Sequence, residues 1–174
     1  KPIYPVYIEA EEPAQHQFVV AIDESQRESL SEVDEHVRRY IRAERNQRVH
    51  QRVFRSTVMR AYETRCAVCA LRHGDLLDAA HIVEDGHELG VASVRNGLAL
   101  CKIHHAAFDS GILGIRPDHV VQIRRDLLEE IDGPMLQHGL KERHNEQLMV
   151  LPARRAEHPD PLLLEIAYES FRVS

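Results

Sequence analysis

The sequence predicts an α+β domain with a structural metal site and flanking helices, and three observations predict it. Two pairs, Cys66-x-x-Cys69 and Cys101-x-x-His104, have the spacing of metal ligands. Two short apolar runs, "LLDAAHIV" and "LALC", have the length of strands, and the second leads straight into a short helical pattern. Segments of helical periodicity flank them, from about Gln51 to Glu63 and again after "HPDP".

The 174 residues suit one domain with appended helices better than two full domains. Apolar residues make up 43% and charged residues 29%, with no low-complexity tract, which describes a globular chain. No run approaches the roughly 18 apolar residues of a membrane helix, and no signal-peptide series opens the chain. No membrane partner and a cytoplasmic address are therefore expected. The chain opens on Lys1, and "KPIYPVYIEAEEPAQ" reads as a linker, which leaves room for an upstream domain. Three regions are expected: linker, strands and an acidic-to-basic helix over 1–50, a core over 51–125, and a helical extension over 126–174.

Net charge is −6, which taken whole argues against a polyanion partner. Its distribution is uneven. From Glu9 to Glu35 the chain is acidic, with Arg27 almost alone against it; from Arg38 to Arg65 it is rich in arginine, opposed only by Glu44 and Glu63. Within that block Arg42, Arg45, Arg48, Arg52 and Arg55 form either a solvated helix face or a phosphate-contacting arm, since guanidinium offers a planar fork to phosphate oxygens.

Along the chain, residues 3–8 and 17–22 have strand character, and Asp23 or Ser25 can cap a helix that runs to about Asn46. In the helix from Gln51 to Glu63, Val53, Phe54, Val58, Ala61 and Tyr62 fall near helical spacing as core lining. It delivers the chain to Cys66. Leu76 to Val83 is a strand, "EDGHELGVASVRNG" a polar loop, and "LALC" a second strand. A short helix follows from Lys102 to about Ser110, ended by Gly111. "ILGI" and "VVQI" flank "RPDH" as a hairpin, before a helical "RRDLLEEI" and a last helix that runs to about Phe171.

Cys66, Cys69 and Cys101 are odd in number and lack an export signal, which argues against a disulfide framework. With His104 they make two ligand pairs separated by residues 70–100, each able to supply half of a tetrahedral zinc site. Adjacent helical residues point about 100° apart, so His105 faces away from a metal held by His104. His105 and Asp109 stand four apart and share a helix face, as a surface hydrogen bond or as a cation-chelating pair. His73, His87, His119, His138, His144 and His158 read as solvated surface residues.

The order His81, Asn96, His105 resembles the series of the HNH nucleases, whose ββα-metal fold is two strands, a loop and a metal-binding helix. "FRSTVMRAYETRCAVC", "LLDAAHIV" and "NGLALCKIHHAAFDSGILGI" are similar to predicted bacterial HNH restriction endonucleases, and "LPARRAEHPDPLLLEIAYESF" is similar more loosely. The resemblance runs from about Val53 to Ile123. It implies a metal-dependent DNA endonuclease, with His81 as general base, Asn96 holding the loop, and His105 and Asp109 binding a divalent cation such as Mg2+, Mn2+, Co2+ or Ni2+. Many members carry a further ligand just before the base, where this chain has Ala80; Asp78, on the same side of the strand, is either a substitute ligand or merely the end of a turn, with water filling the coordination sphere. DNA is the implied partner, and the resemblance leaves room for a homodimer and for an upstream reader of modified bases in a restriction system. The competing class is a non-catalytic zinc-stabilised module that binds DNA or protein, which would not need His81, Asn96 and His105 together.

Overall fold

The computed structural model describes residues 7–12, 17–21, 50–84, 86–131 and 133–173. The chain divides into two compact units, Lys1–Arg48 and Val49–Ser174. In the first, β1 (Tyr7–Glu12) pairs antiparallel with β2 (Gln17–Ala21), with an irregularity between Ile8 and Ala10. The first strand thus lies later than the expected 3–8. Tyr7 pairs with Ala21 and Glu12 with Gln17, so cross-strand pairing draws glutamates of low strand propensity into the ladder. The helix expected up to Asn46, with Arg42, Arg45 and Arg48, lies outside the described residues.

The second unit begins with α1, helical over residues 50–61. Phe54, Val58 and Tyr62, spaced by four, are buried, whereas Val53, expected in the core, is 58% exposed because it falls outside that stripe. The helix closes without glycine. Glu63 and Thr64 take left-handed φ values of 52° and 54°, and Thr64 N–H donates to the Met59 carbonyl at 2.7 Å while Glu63 N–H donates to that of Arg60 at 3.1 Å. This Schellman-type closure turns the chain toward Cys66.

Next, β3 (Leu77–His81) pairs antiparallel with β4 (Gly97–Cys101), with Leu77 opposite Cys101 and His81 opposite Gly97. Helix α2 (Lys102–Asp109) follows without a break, completing a strand, strand and helix unit. It stops where expected: Gly111 has φ 63°, and Ile112 N–H donates to the Ala107 carbonyl at 2.8 Å. Gly97 is where α1 meets this unit most closely, since a Cβ there would lie 2.5 Å from Val58 Cγ2 and 3.2 Å from the Phe54 ring.

The expected hairpin is present as β5 (Leu113–Ile115) against β6 (Val121–Ile123). Short helices α3 (Arg125–Glu129) and α4 (Pro134–Gly139) precede α5 (Pro161–Val173), which packs on β5 with the Phe171 ring over Gly114. Leu77, Leu98, Leu100, Leu113, Val121 and Leu164 are fully buried in one core, and such side chains stabilise a fold by about 1.5–3 kcal/mol each. Leu127, Leu148, Leu163 and Leu164 pack with that core. Met149 and Val150 N–H donate to the Ala67 carbonyl at 2.8 and 3.1 Å, and Arg95 pairs with Asp160 at 2.6 Å. Among the described residues no helix is long and apolar enough to cross a membrane.

Candidate active site and metal centre

The turn after α1 and the junction of β4 with α2 bring Cys66, Cys69, Cys101 and His104 together, with one donor atom from each within 4.8 Å of all the others. A tetrahedron of ligands about 2.3 Å from zinc has edges of roughly 3.8 Å, so the cluster has the size and the donor chemistry for that ion. Cys66, Cys101 and His104 are buried. His104 Nδ1 lies 3.0 Å from Cys101 Sγ and 3.5 Å from Cys66 Sγ. The other ring nitrogen, Nε2, donates to the Gly139 carbonyl at 2.7 Å, which leaves Nδ1 as the ligand atom. The hydrogen bond with Cys101 pushes the Cys66 thiol up, and the same contact holds Cys101 down.

His105 points elsewhere, as the helical period demands. Its Nε2 lies 3.3 Å from Asp109 Oδ2, one turn on, so the expected pair is in contact. Among the described residues no third His, Cys or carboxylate joins these two in a metal-sized group.

His81 ends β3 and is half-buried, with its ring stacked on Phe54 of α1 at a centroid distance of 3.9 Å and an angle of 5°. That contact fixes the plane of the imidazole. Asn96 is fully buried just before β4. Its Oδ1 accepts from Val83 N–H at 2.9 Å, and its Nδ2 donates to the carbonyls of Val83 at 2.9 Å and Val91 at 3.1 Å. One amide therefore ties both ends of the loop that follows His81.

Asp78 Oδ1 accepts from Arg55 Nε at 3.2 Å and its Oδ2 from Lys102 Nζ at 3.1 Å. Burial alone would raise its pKa, but the Lys102 hydrogen bond and the Ala79 N–H hold it below the ordinary carboxylate range. Both oxygens accept from cationic side chains, so Asp78 joins α1, β3 and α2. Ala80, the position it was to replace, is buried in the core. Arg55 is anchored as well, donating to the Leu77 carbonyl at 2.9 Å, whereas Arg52 is exposed.

A cleft of about 580 Å³ has His81, Glu84 and His87 along one side, Phe108 and Asp109 from α2, and Ile166, Ala167 and Phe171 from α5. It brings His81 and Asp109 to one space; His105 does not line it. Sequence reasoning missed the α5 wall, because no local period links residue 166 to residue 81; His87, read as solvated, is exposed and lines the cleft. Three other histidines read as solvated are also engaged: His119 is half-buried, His144 Nδ1 accepts from Ile123 N–H at 3.0 Å, and His158 Nε2 bonds the Pro152 carbonyl at 2.9 Å.

His81 thus stands on the first strand, and His105 and Asp109 on the helix, of one strand, strand and helix unit. Residues 66–116 match the HNH endonuclease family model, a stretch that contains the whole Cys and His cluster together with His81, Asn96, His105 and Asp109. Among solved structures the chain is similar to one described as a modification dependent TagI restriction endonuclease, at 21% identity and a TM-score of 0.45, over 67% of this chain and 36% of that one. The chain thus spans about a third of that protein's length. No curated protein matches it.

Proposed function

We propose that the chain is a metal-dependent endonuclease of the HNH type that hydrolyses DNA phosphodiester bonds. The observation that carries this reading is the cleft shared by His81 and Asp109, with the loop between β3 and β4 tied down by Asn96. In this reading His81 takes the proton of the attacking water, since a neutral imidazole is a competent base near neutral pH. The Phe54 stack and the Asn96 bonds hold that ring and its loop, so little reorganisation accompanies the transfer. His105 and Asp109 would hold a divalent cation, which would supply charge neutralisation at the phosphoryl group and the leaving oxygen.

The Cys66, Cys69, Cys101 and His104 cluster holds zinc and has a structural role. As its biological setting we propose the nuclease part of a cytoplasmic restriction enzyme acting on modified or foreign DNA, the role the sequence resemblance implies. A homodimer and an upstream reader of modified bases belong to the same proposal. The deciding experiment is cleavage of plasmid DNA by the purified chain with and without added divalent ion, beside a His81→Ala variant. Cation-dependent cutting lost in the variant supports the reading. DNA binding with no cutting under any divalent ion would replace it with a zinc-stabilised binding module.

A further inference from the structure

We infer that His87 is a further catalytic residue, whose Nε2–H donates to a non-bridging oxygen of the scissile phosphate. The inference rests on the endonuclease reading and adds a residue to it. Among the described residues that line the cleft there is neither Arg nor Lys, so apart from the cation proposed on His105 and Asp109 a phosphate meets no cationic side chain there. A phosphate entering such a space needs a donor. Two imidazoles line the cleft, and the one on His81 is committed to accepting a proton.

The loop is shaped to present the other. Val83 and Val91 are tied to Asn96 at its two ends. Between them His87 N–H donates to the Glu84 carbonyl at 3.0 Å, and Gly90 N–H donates to the His87 carbonyl at 2.8 Å. The turn is pinched so closely that a Cβ at Gly90 would fall 1.9 Å from the Glu84 oxygen, so only glycine closes it. On the side chain, His87 Nδ1 accepts from Leu89 N–H at 3.1 Å. A nitrogen that accepts carries no proton, so the neutral ring has its hydrogen on Nε2, at the edge away from that bond. The backbone thereby selects a donor tautomer and excludes His87 as a second base acting through Nε2. A donor fixed before substrate arrives is the kind that stabilises charge developing on phosphoryl oxygens.

The test compares wild-type chain, His87→Leu and His87→Gln on a DNA duplex at saturating divalent ion, with zinc content and melting temperature as checks of folding. His87→Leu is expected to lower kcat about 100-fold with KM little changed. His87→Gln, whose amide keeps a donor, is expected to recover to within about tenfold of wild type. A His87→Leu protein with wild-type kcat overturns the inference, as does a His87→Gln protein no faster than His87→Leu. If wild type cuts and His81→Ala does not, either result defeats the role of His87 alone. If the wild-type chain cuts under no divalent ion, the endonuclease reading fails and this inference falls with it.

Discussion

His104 and His105 are neighbours in the chain and belong to sites of opposite construction. His104 is buried among three sulfurs, with its second nitrogen held by the Gly139 carbonyl. His105 meets one carboxylate, and the side chains of the pair are 24% and 61% exposed. A site that fills every coordination position from the protein stabilises the fold, because the ion binds only the folded arrangement. One that supplies two ligands keeps positions for water and substrate, as a working cation needs. The difference follows from one step along a helix, which turns successive side chains about 100° apart.

The largest effect expected is at the closed site. Cys101→Ser removes one thiolate from a centre of a kind worth about 10–16 kcal/mol of folding free energy, so the variant is expected to lose zinc and its cooperative melting transition together. Metal analysis beside thermal denaturation checks it. A variant that melts like wild type without zinc would break the contrast, since the closed site would then not support the fold.

At the open site the effects are expected on rate and not on stability. His81→Ala should reduce cleavage by about 100-fold or more while keeping zinc, melting temperature and DNA affinity. Asp109→Asn should raise the divalent-ion concentration needed for half-maximal cutting and recover partly at high ion, because His105 still binds. Titration of cleavage against Mg2+ or Mn2+ separates the two. If both variants responded alike to added ion, the division between base and ligand would be wrong.

Smaller effects sharpen the comparison at its edges. Arg55→Gln loses the bonds to Asp78 and to the Leu77 carbonyl and is expected to cost about 1 kcal/mol of stability in a denaturant titration. Arg52→Gln is expected to leave stability unchanged and to reduce the salt slope of DNA binding by about one. An unchanged slope would make Arg52 a solvated face. Smallest of all, Ala70 sits in the turn of the closed site with φ 58°, so Ala70→Gly is expected to stabilise the protein by about 1 kcal/mol.

The sequence by itself determined what short-range periods govern. The spacing of Cys66, Cys69, Cys101 and His104 marked the cluster, because a knuckle and one helical turn fix their own ligand distances. The order of β3, β4 and α2 was legible for the same reason, as was the stop of α2 at Gly111, where only glycine takes the left-handed turn without strain. The separate faces of His104 and His105 followed from the helix period alone. What only the tertiary structure decided lies between elements far apart in the chain. Strand parity says which side Asp78 faces, but not that Arg55 and Lys102 bond its two oxygens. The Phe54 stack on His81, the α5 wall of the cleft and the donor edge of His87 likewise depend on packing. Local sequence sets which way a side chain leaves the backbone, but its partner is whichever group the packed core carries to within hydrogen-bond reach.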